Sequence, residues 1–300
     1  MRSSASAVTV IGLGPMGQAI TRRLLDGEYR VTLWNRSPRR ADPFVADGAV
    51  LAATPAEALA ASELVILSLT DYRAMYDILA GSESSLDGRA VVNLSSDTPD
   101  RTREAARWAT HHGATFLTGG VMASAPTVGT DEAFVYYSGP RHVLDQHRVA
   151  LARIGTPRYL GADPGLAQLM YQAHLDVFLS TIAALTHATA LMGTAGFSAT
   201  DALAELVETV RGVPFVFGDG TGSPGAMFDS GEHPGDLSTV TMMAASADHV
   251  LAASESAGID TVLPKAIHTH YRNTIADGFG ADNWTRIIDR IRSPGGVGRQ

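Results

Sequence analysis

Short Val/Ile/Leu runs alternate with amphipathic stretches through the first half of the chain, and helical periodicity takes over in the second. Strands are predicted at 7–11, 30–34, 64–69, 90–94 and 115–118, with further ones near 133–138 and 157–160. Helical patterns fill 15–27, 38–47, 55–61, 72–80, 98–112 and 141–153. Such alternation predicts an α/β fold, a parallel sheet with helical crossovers. The pairs Asp26-Gly27, Asp47-Gly48 and Asp87-Gly88 fall where helices should end or loops turn.

The pattern changes at Leu160-Gly161-Ala162-Asp163-Pro164. Asp163 suits an N-cap and Pro164 a first helical residue, so a helix should start there. Beyond Gly165, Gly193 is the only glycine before Gly196, and no proline intervenes. About 30 helical residues would span roughly 45 Å. From there to Gly278 the periodicity is helical, without a convincing strand pattern. Three parts follow: a sheet domain over 1–163, a long interdomain helix over 164–195, and an all-α domain over 196–300. Residues 213–236, with Pro214, Pro224, Pro234 and many glycines, should interrupt the helices as a mobile connection, and the segment from Gly295 to Gly298 should fray. A single small helical domain cannot cover so long an apolar helix, so it is expected to pack against the same helix of a second subunit.

Composition narrows the function classes. The chain has 300 residues, 45% hydrophobic and 18% charged, ordinary for a globular protein of two domains. A net charge of −8 argues against a nucleic-acid or anionic-membrane partner. No uninterrupted apolar run of the ~18 residues expected of a membrane span is evident. Arg2 before an apolar stretch resembles a signal peptide, but Gly12, Gly14 and Pro15 break that stretch early, and it serves better as a first strand. The expected location is the cytoplasm. There is no cysteine, which removes disulfide and thiolate chemistry, and the ten histidines form no metal-binding pattern. His111-His112 reads as a solvated helix end.

The first candidate chemistry is Gly12-Leu13-Gly14-Pro15-Met16-Gly17 after the Val/Ile strand 7–11, a GxGxxG turn opening a helix. Glycine is needed for the tight turn and for close approach of a pyrophosphate. At the end of the second strand, where an NAD enzyme has an acid for the ribose, the chain reads Trp34-Asn35-Arg36-Ser37. A guanidinium there pairs with a 2′-phosphate, and Arg39 and Arg40 add positive charge, so the cofactor is read as NADP(H). Ligands in such a sheet lie beyond the carboxyl ends of the strands. The candidates there are Leu69-Thr70-Asp71, Asn93-Leu94-Ser95-Ser96 beside the ribose and nicotinamide, and Gly119-Gly120-Val121-Met122-Ala123-Ser124. On the long helix, Tyr171 shares a face with Leu175, Phe178 and Ile182. His174 is a nearby candidate proton carrier, and Asp176 lies about 140° away around the helix.

These segments together resemble the NADP-dependent imine reductases, relatives of the β-hydroxyacid dehydrogenases. The resemblance is carried by Val10 to Gly17, Trp34 to Pro38, Val92 to Ser95, Gly119 to Ala123, Tyr136-Tyr137-Ser138-Gly139 and Tyr159 to Gly165, and it continues to nearly the whole length. It implies a Rossmann-type domain, a C-terminal domain of the 6-phosphogluconate dehydrogenase kind, and a domain-swapped homodimer with shared active sites. It also implies that Tyr171 occupies the Asp-or-Tyr position proposed as proton donor, a Tyr variant often associated with (S)-amines. Leu179 replaces a second tyrosine of reductive-amination members, which favours preformed cyclic imines, and Asp97 stands where many relatives have Gly. By position, Met242, Met243, Val213, Phe215 and Phe217 should face the substrate.

Lysine usage separates this activity from its nearest rival, a 3-hydroxyacid or alcohol dehydrogenase. That family, by what is known of it, uses a lysine in the long helix, and residues 160–195 contain none; Lys265 is the only lysine in the chain. Imine reduction demands less, because a protonated imine arrives already electrophilic. It needs a dry pocket and a hydride donor held ~3–3.5 Å away. A phenol is matched to an amine product as its proton partner. A non-catalytic NADP-binding protein is the second alternative.

Overall fold

The strand ends set the position of everything else. The computed structural model describes residues 6–218, 223–236 and 238–295. Eight strands, β1 (Ala7–Ile11), β2 (Arg30–Trp34), β3 (Val50–Leu51), β4 (Leu64–Leu67), β5 (Ala90–Asn93), β6 (Thr115–Met122), β7 (Phe134–Ser138) and β8 (Thr156–Gly161), form one sheet in the order β3-β2-β1-β4-β5-β6-β7-β8. The crossovers are α1 (Pro15–Asp26), α2 (Asp42–Ala46), α3 (Pro55–Ala60), α4 (Tyr72–Leu79), α5 (Pro99–His111) and α6 (Arg141–Leu151). Both faces are covered, which is why Leu64-Val65-Ile66-Leu67 is apolar without alternation. Val8, Val10, Ile66 and Val92 point into one core and Ile11, Val65, Leu67 and Val91 into the other.

Four local features differ from the expectations. The sheet is not wholly parallel, because β7 pairs antiparallel with β6, with Met122 opposite Phe134 and Thr118 opposite Ser138. β6 runs four residues beyond the predicted 118 because Gly119 and Gly120, which weaken a strand signal, sit under a closely packed helix. Two residues of β3 are too few to show a pattern. The segment 38–47 divides into a 3-10 turn, Pro38–Ala41, and α2, whose second residue is Pro43.

The helix α7 (Gly165–Gly193) is 29 residues long. The Asp163 carboxylate accepts from Gly165 N at 2.9 Å, the bond an N-cap makes. It also takes a bidentate pair from Arg103, Nε at 2.9 Å and Nη2 at 2.7 Å, which holds its pKa below the usual carboxylate range. By length and composition alone α7 would pass for a membrane span, contrary to the sequence reading, because isolated polar residues hardly lower an 18-residue average. Its first turns are instead bonded to the sheet: Ser138 Oγ donates to Pro164 O and accepts from Ala167 N.

The chain forms two compact units that divide between Asp176 and Val177, inside α7. The second contains α8 (Ala199–Val216), α9 (Pro224–Ser230), α10 (Val240–Ser256), α11 (Val262–Ala276) and α12 (Ile287–Arg292). The 213–236 interruption is narrower than expected. Pro214 lies in the last turn of α8, which ends two residues later at Val216, and α9 occupies much of the remainder. Pro224 begins that helix after Ser223, whose hydroxyl caps Ala226 N. Residues 219–222 and 296–298 of the predicted mobile segments lie outside the described residues. The only bridge among the described residues of this unit, Thr239 with Asn283, is isolated, as the absence of strand patterning predicts.

Candidate cofactor and active site

The turn after β1 can be built only from glycine. Gly12 has φ +100°, and a Cβ on it would lie 2.2 Å from the Ser68 carbonyl oxygen. A Cβ on Gly17 would lie 2.0 Å from the Gly12 oxygen. Gly14 differs: nothing stands within 4 Å of its missing Cβ. It is the N-cap of α1 and no side chain caps the helix, so the first amides face open space. Uncapped amides at a helix N-terminus suit a phosphate group.

Next to this turn lies a cleft of about 220 Å³ lined by Gly12, Leu13, Gly14, the segment Trp34 to Ser37, Arg40, Ser68, Leu69 and Thr70, with no carboxylate in its wall. Asn35 is a brace: its Oδ1 accepts from Leu13 N at 2.9 Å and its Nδ2 donates to Ser37 O at 2.9 Å. Arg40 Nη1 donates to Leu13 O at 3.3 Å. Arg36 is exposed on the cleft wall, and no protein partner engages its guanidinium among the described residues. Pro15 is exposed at the first turn of α1, whereas Met16 packs against the core below the cleft.

Asn93 and Ser95 depart from their expected placement. Both are buried; Asn93 Oδ1 accepts from Ser95 N at 2.9 Å, and Ser95 Oγ accepts from Leu69 N at 3.0 Å. Their polar atoms therefore fasten the β5 loop to the β4 loop and do not line the cleft. A buried amide and hydroxyl must satisfy themselves within the protein, a demand that a motif does not display. Asp71 likewise caps α4 through Ala74 N. At the end of β6, Met122 and Ala123 are half-buried, and exposed Ser124 forms a capping box with Thr127.

Tyr171 is half-buried against β6. A Cβ on Gly120 would stand 3.0 Å from Tyr171 Cβ and 3.0 Å from Ala167 O, so the glycine sets how near α7 approaches the strand. His174 lies one turn on, exposed, with Nε2 3.4 Å from Tyr136 Oη. Two glutamines that drew no attention in the sequence anchor this part of the helix. Buried Gln168 donates to Ser95 O just past β5 and to Gly119 O within β6, and half-buried Gln172 donates to Ser96 Oγ and Asp97 O. Their spacing of four on an otherwise apolar helix was the available signal. Burial pushes the phenols of Tyr72 and Tyr137 well above the ordinary range, leaving both as neutral core residues.

The remaining predicted pocket residues divide between units. Leu175 is half-buried in the first. Phe178 and Leu179 are exposed in the second, where Leu179 lines a groove with Ile182 and Leu263. Val213 lines another with Val177 and Leu185, and Phe215 is 89% exposed. Phe217 meets Trp284 edge-on, 5.8 Å between ring centres. Met242 is exposed, but Met243 packs into the small core of Val240, Ala244 and Tyr271, because consecutive helical residues point about 100° apart. Lys265 sits on α11, exposed, 3.8 Å from Glu255, away from the first half of α7 in sequence and element. Among the described residues no cluster of His, Asp or Glu could hold a metal ion.

Comparison with known proteins agrees with this geometry. Residues 7–162 match the NAD binding domain of 6-phosphogluconate dehydrogenase, and residues 163–293 match the NADPH-dependent reductive aminase-like C-terminal domain. The NADPH-dependent reductive aminase of Aspergillus oryzae is 28% identical over 95% of this chain and 97% of that protein. The structure of a Streptomyces aurantiacus imine reductase is 45% identical with a TM-score of 0.87, covering 95% of this chain and 99% of that one. A reductive aminase from Aspergillus terreus, solved with NADPH and ethyl-5-oxohexanoate, is 31% identical with a TM-score of 0.90, covering 96% and 100%. With whole-chain similarity at these identities, the chain belongs to the family of NADPH-dependent imine reductases and reductive aminases.

Proposed function

We propose that this chain reduces small preformed cyclic imines, as a cytoplasmic homodimer, with Tyr171 as the group that meets the imine nitrogen. The chain is an NADPH-dependent imine reductase. NADPH, when bound, supplies the hydride that the C=N carbon receives. The protein fits that cofactor on its own residues: open space at Gly14, uncapped amides at α1, an unengaged Arg36 and a cleft wall without a carboxylate. Gly12, Leu13, Gly14, Pro15 and Gly17 would hold the pyrophosphate, with Met16 supporting the turn from below. Arg36 would hold the 2′-phosphate with Ser37, while Asn35 and Arg40 keep the turn and the β2 end together. Leu69, Thr70, Met122 and Ala123 would form the rim around the nicotinamide, and Asn93 and Ser95 would act behind it.

Tyr171 would orient the nitrogen and donate a proton as the amine forms. Its packing over Gly120, on a helix with no lysine, is the observation that carries the reading. Ser124, His174 and Leu175 would border the substrate, with Phe178, Leu179, Val213, Phe217 and Met242 as the apolar contributions of the helical part, and Met243 held in the small core behind Met242. Leu179 in place of a second phenol supports a preformed imine over a ketone and free amine. The working division we propose is 1–163, 164–195 and 196–300. Purified protein should oxidise NADPH with a cyclic imine and show no turnover with a 3-hydroxy acid and NADP+. Turnover of the acid alone would overturn the reading, as would NADPH binding without turnover across an imine panel.

The dimer is supported by apolar side chains that one chain leaves uncovered: Val177 at 69%, Phe178 at 59% and Phe215 at 89% exposure on α7 and α8. Sedimentation at micromolar concentration should give a dimer. A stable monomer with full activity would contradict active sites shared between subunits.

A further inference from the structure

The loop after β5 is joined to three other elements through a single residue. Asp97 Oδ2 accepts from Tyr72 N, at the start of α4, at 3.2 Å, and its Oδ1 accepts from Thr98 N at 2.7 Å. Its backbone amide donates to Gln168 Oε1 at 3.3 Å and its carbonyl accepts from Gln172 Nε2 at 3.1 Å. Only 8% of the Asp97 side chain is exposed, and Arg101 Nη1 lies 3.7 Å from the carboxylate. Gln168 is buried and fully used, since its Nε2 also donates to Ser95 O at 3.1 Å and Gly119 O at 3.2 Å. The loop after β5 is thereby bonded into one frame with the start of α4, with β6 at Gly119 and with the first turns of α7. Tyr171 lies between the two glutamines in sequence and packs on Gly120, the neighbour of the carbonyl that Gln168 grips.

We infer that Gln168, Gln172 and Asp97 are positioning residues that fix the phenol of Tyr171 relative to the strand-end rim. The inference rests on the proposed role of Tyr171. Its physical basis is rigidity of register. α7 is apolar and lies over glycines, a contact that by packing alone would allow it to slide, whereas directional hydrogen bonds to the β5 loop and to the β6 backbone do not. A misplacement of about 1 Å can cost ~100-fold in a reaction that depends on alignment. Asp97 adds the tie to α4 that a glycine at that position could not make.

The test is a double-mutant cycle. Gln168→Met keeps the side chain's length and removes its hydrogen bonds; Gln172→Met does the same at a half-buried position, and reads the frame if the first variant does not fold. Each is combined with Tyr171→Phe, and kcat on a cyclic imine, the NADPH Kd and Tm are measured. Each glutamine variant alone should lower kcat about 10-fold with NADPH Kd unchanged within ~2-fold, and should cost nothing further in the Tyr171→Phe background, because coupled residues are non-additive. Losses that multiply, or an unchanged kcat in a folded glutamine variant, overturn the frame while leaving Tyr171 in place. An unchanged kcat for Tyr171→Phe alone removes the proposed role of Tyr171, and the frame's role falls with it.

Discussion

Tyr171→Phe is expected to lower kcat on a cyclic imine about 100-fold at alkaline pH while leaving the NADPH Kd within about 2-fold, taking general acid catalysis at the low end of its usual contribution. The substitution removes one oxygen. The ring still packs on Gly120, so α7 keeps its approach to β6. The low end of the range is appropriate because part of the substrate can enter as iminium, which needs no donor. That reasoning also gives the sign of the pH effect. As pH falls toward the pKa of the substrate's iminium, more substrate arrives protonated, and the deficit of the variant should shrink. The measurement is kcat for both proteins across that range with one imine. A deficit that is absent at alkaline pH, or that grows on acidification, excludes Tyr171 as the proton partner of the nitrogen. A fall in kcat accompanied by an equal loss of NADPH affinity would assign the residue to cofactor binding instead.

Arg36→Ala should raise the KM for NADPH about 10- to 100-fold and change the KM for NADH by no more than about 2-fold. The magnitude is that of one or two hydrogen bonds to a charged group, roughly 1.5–3 kcal/mol, converted at 1.4 kcal/mol per factor of ten. The guanidinium is exposed and unengaged, so the phosphate would gain it without breaking an existing pair. Exposure also makes the contribution sensitive to salt, and the gap between the two cofactors should narrow as ionic strength rises. Arg36→Lys should recover part of the preference, as a point charge lacking the fork. Equal effects on NADPH and NADH would remove Arg36 from phosphate recognition and leave Arg39 or Arg40 to supply it. Arg40 is the weaker candidate, because one of its nitrogens already donates to Leu13 O.

Much of the nucleotide-binding half was legible because its signals are local. Gly12 and Gly17 are dictated by contacts within a few residues or across one strand, and β1, β2 and α1 fall within one residue of their predicted limits. Legibility failed where a residue's partner is distant in sequence. Asn93 and Ser95 read as ligand-facing polar groups because hydroxyls and amides at strand ends often are. Only the packed chain shows them fastened to each other and to Leu69, 26 residues from Ser95. Gln168 reaches Ser95 across 73 residues and Gly119 across 49, separations at which a single sequence carries no pairing information. The reversal of β7 was hidden for a related cause. Strand propensity reports that a segment is extended, and direction is set by the loop and by which edge remains open.

By itself, then, the amino-acid order determined the chemistry on offer: a phosphate-sized gap where glycines stand, an arginine in place of an acid, a tyrosine and no lysine on the long helix. These depend on residue identity and on neighbours a turn or a strand away, where backbone geometry leaves few choices. Tertiary structure decided which of those groups lie open on the cleft and which are consumed in bonds to other parts of the chain. It withdrew Asn93 and Ser95 from the surface and bound Gln168, on Tyr171's own helix, to Ser95 and Gly119, because a buried polar atom must find a partner wherever the fold brings one within about 3 Å.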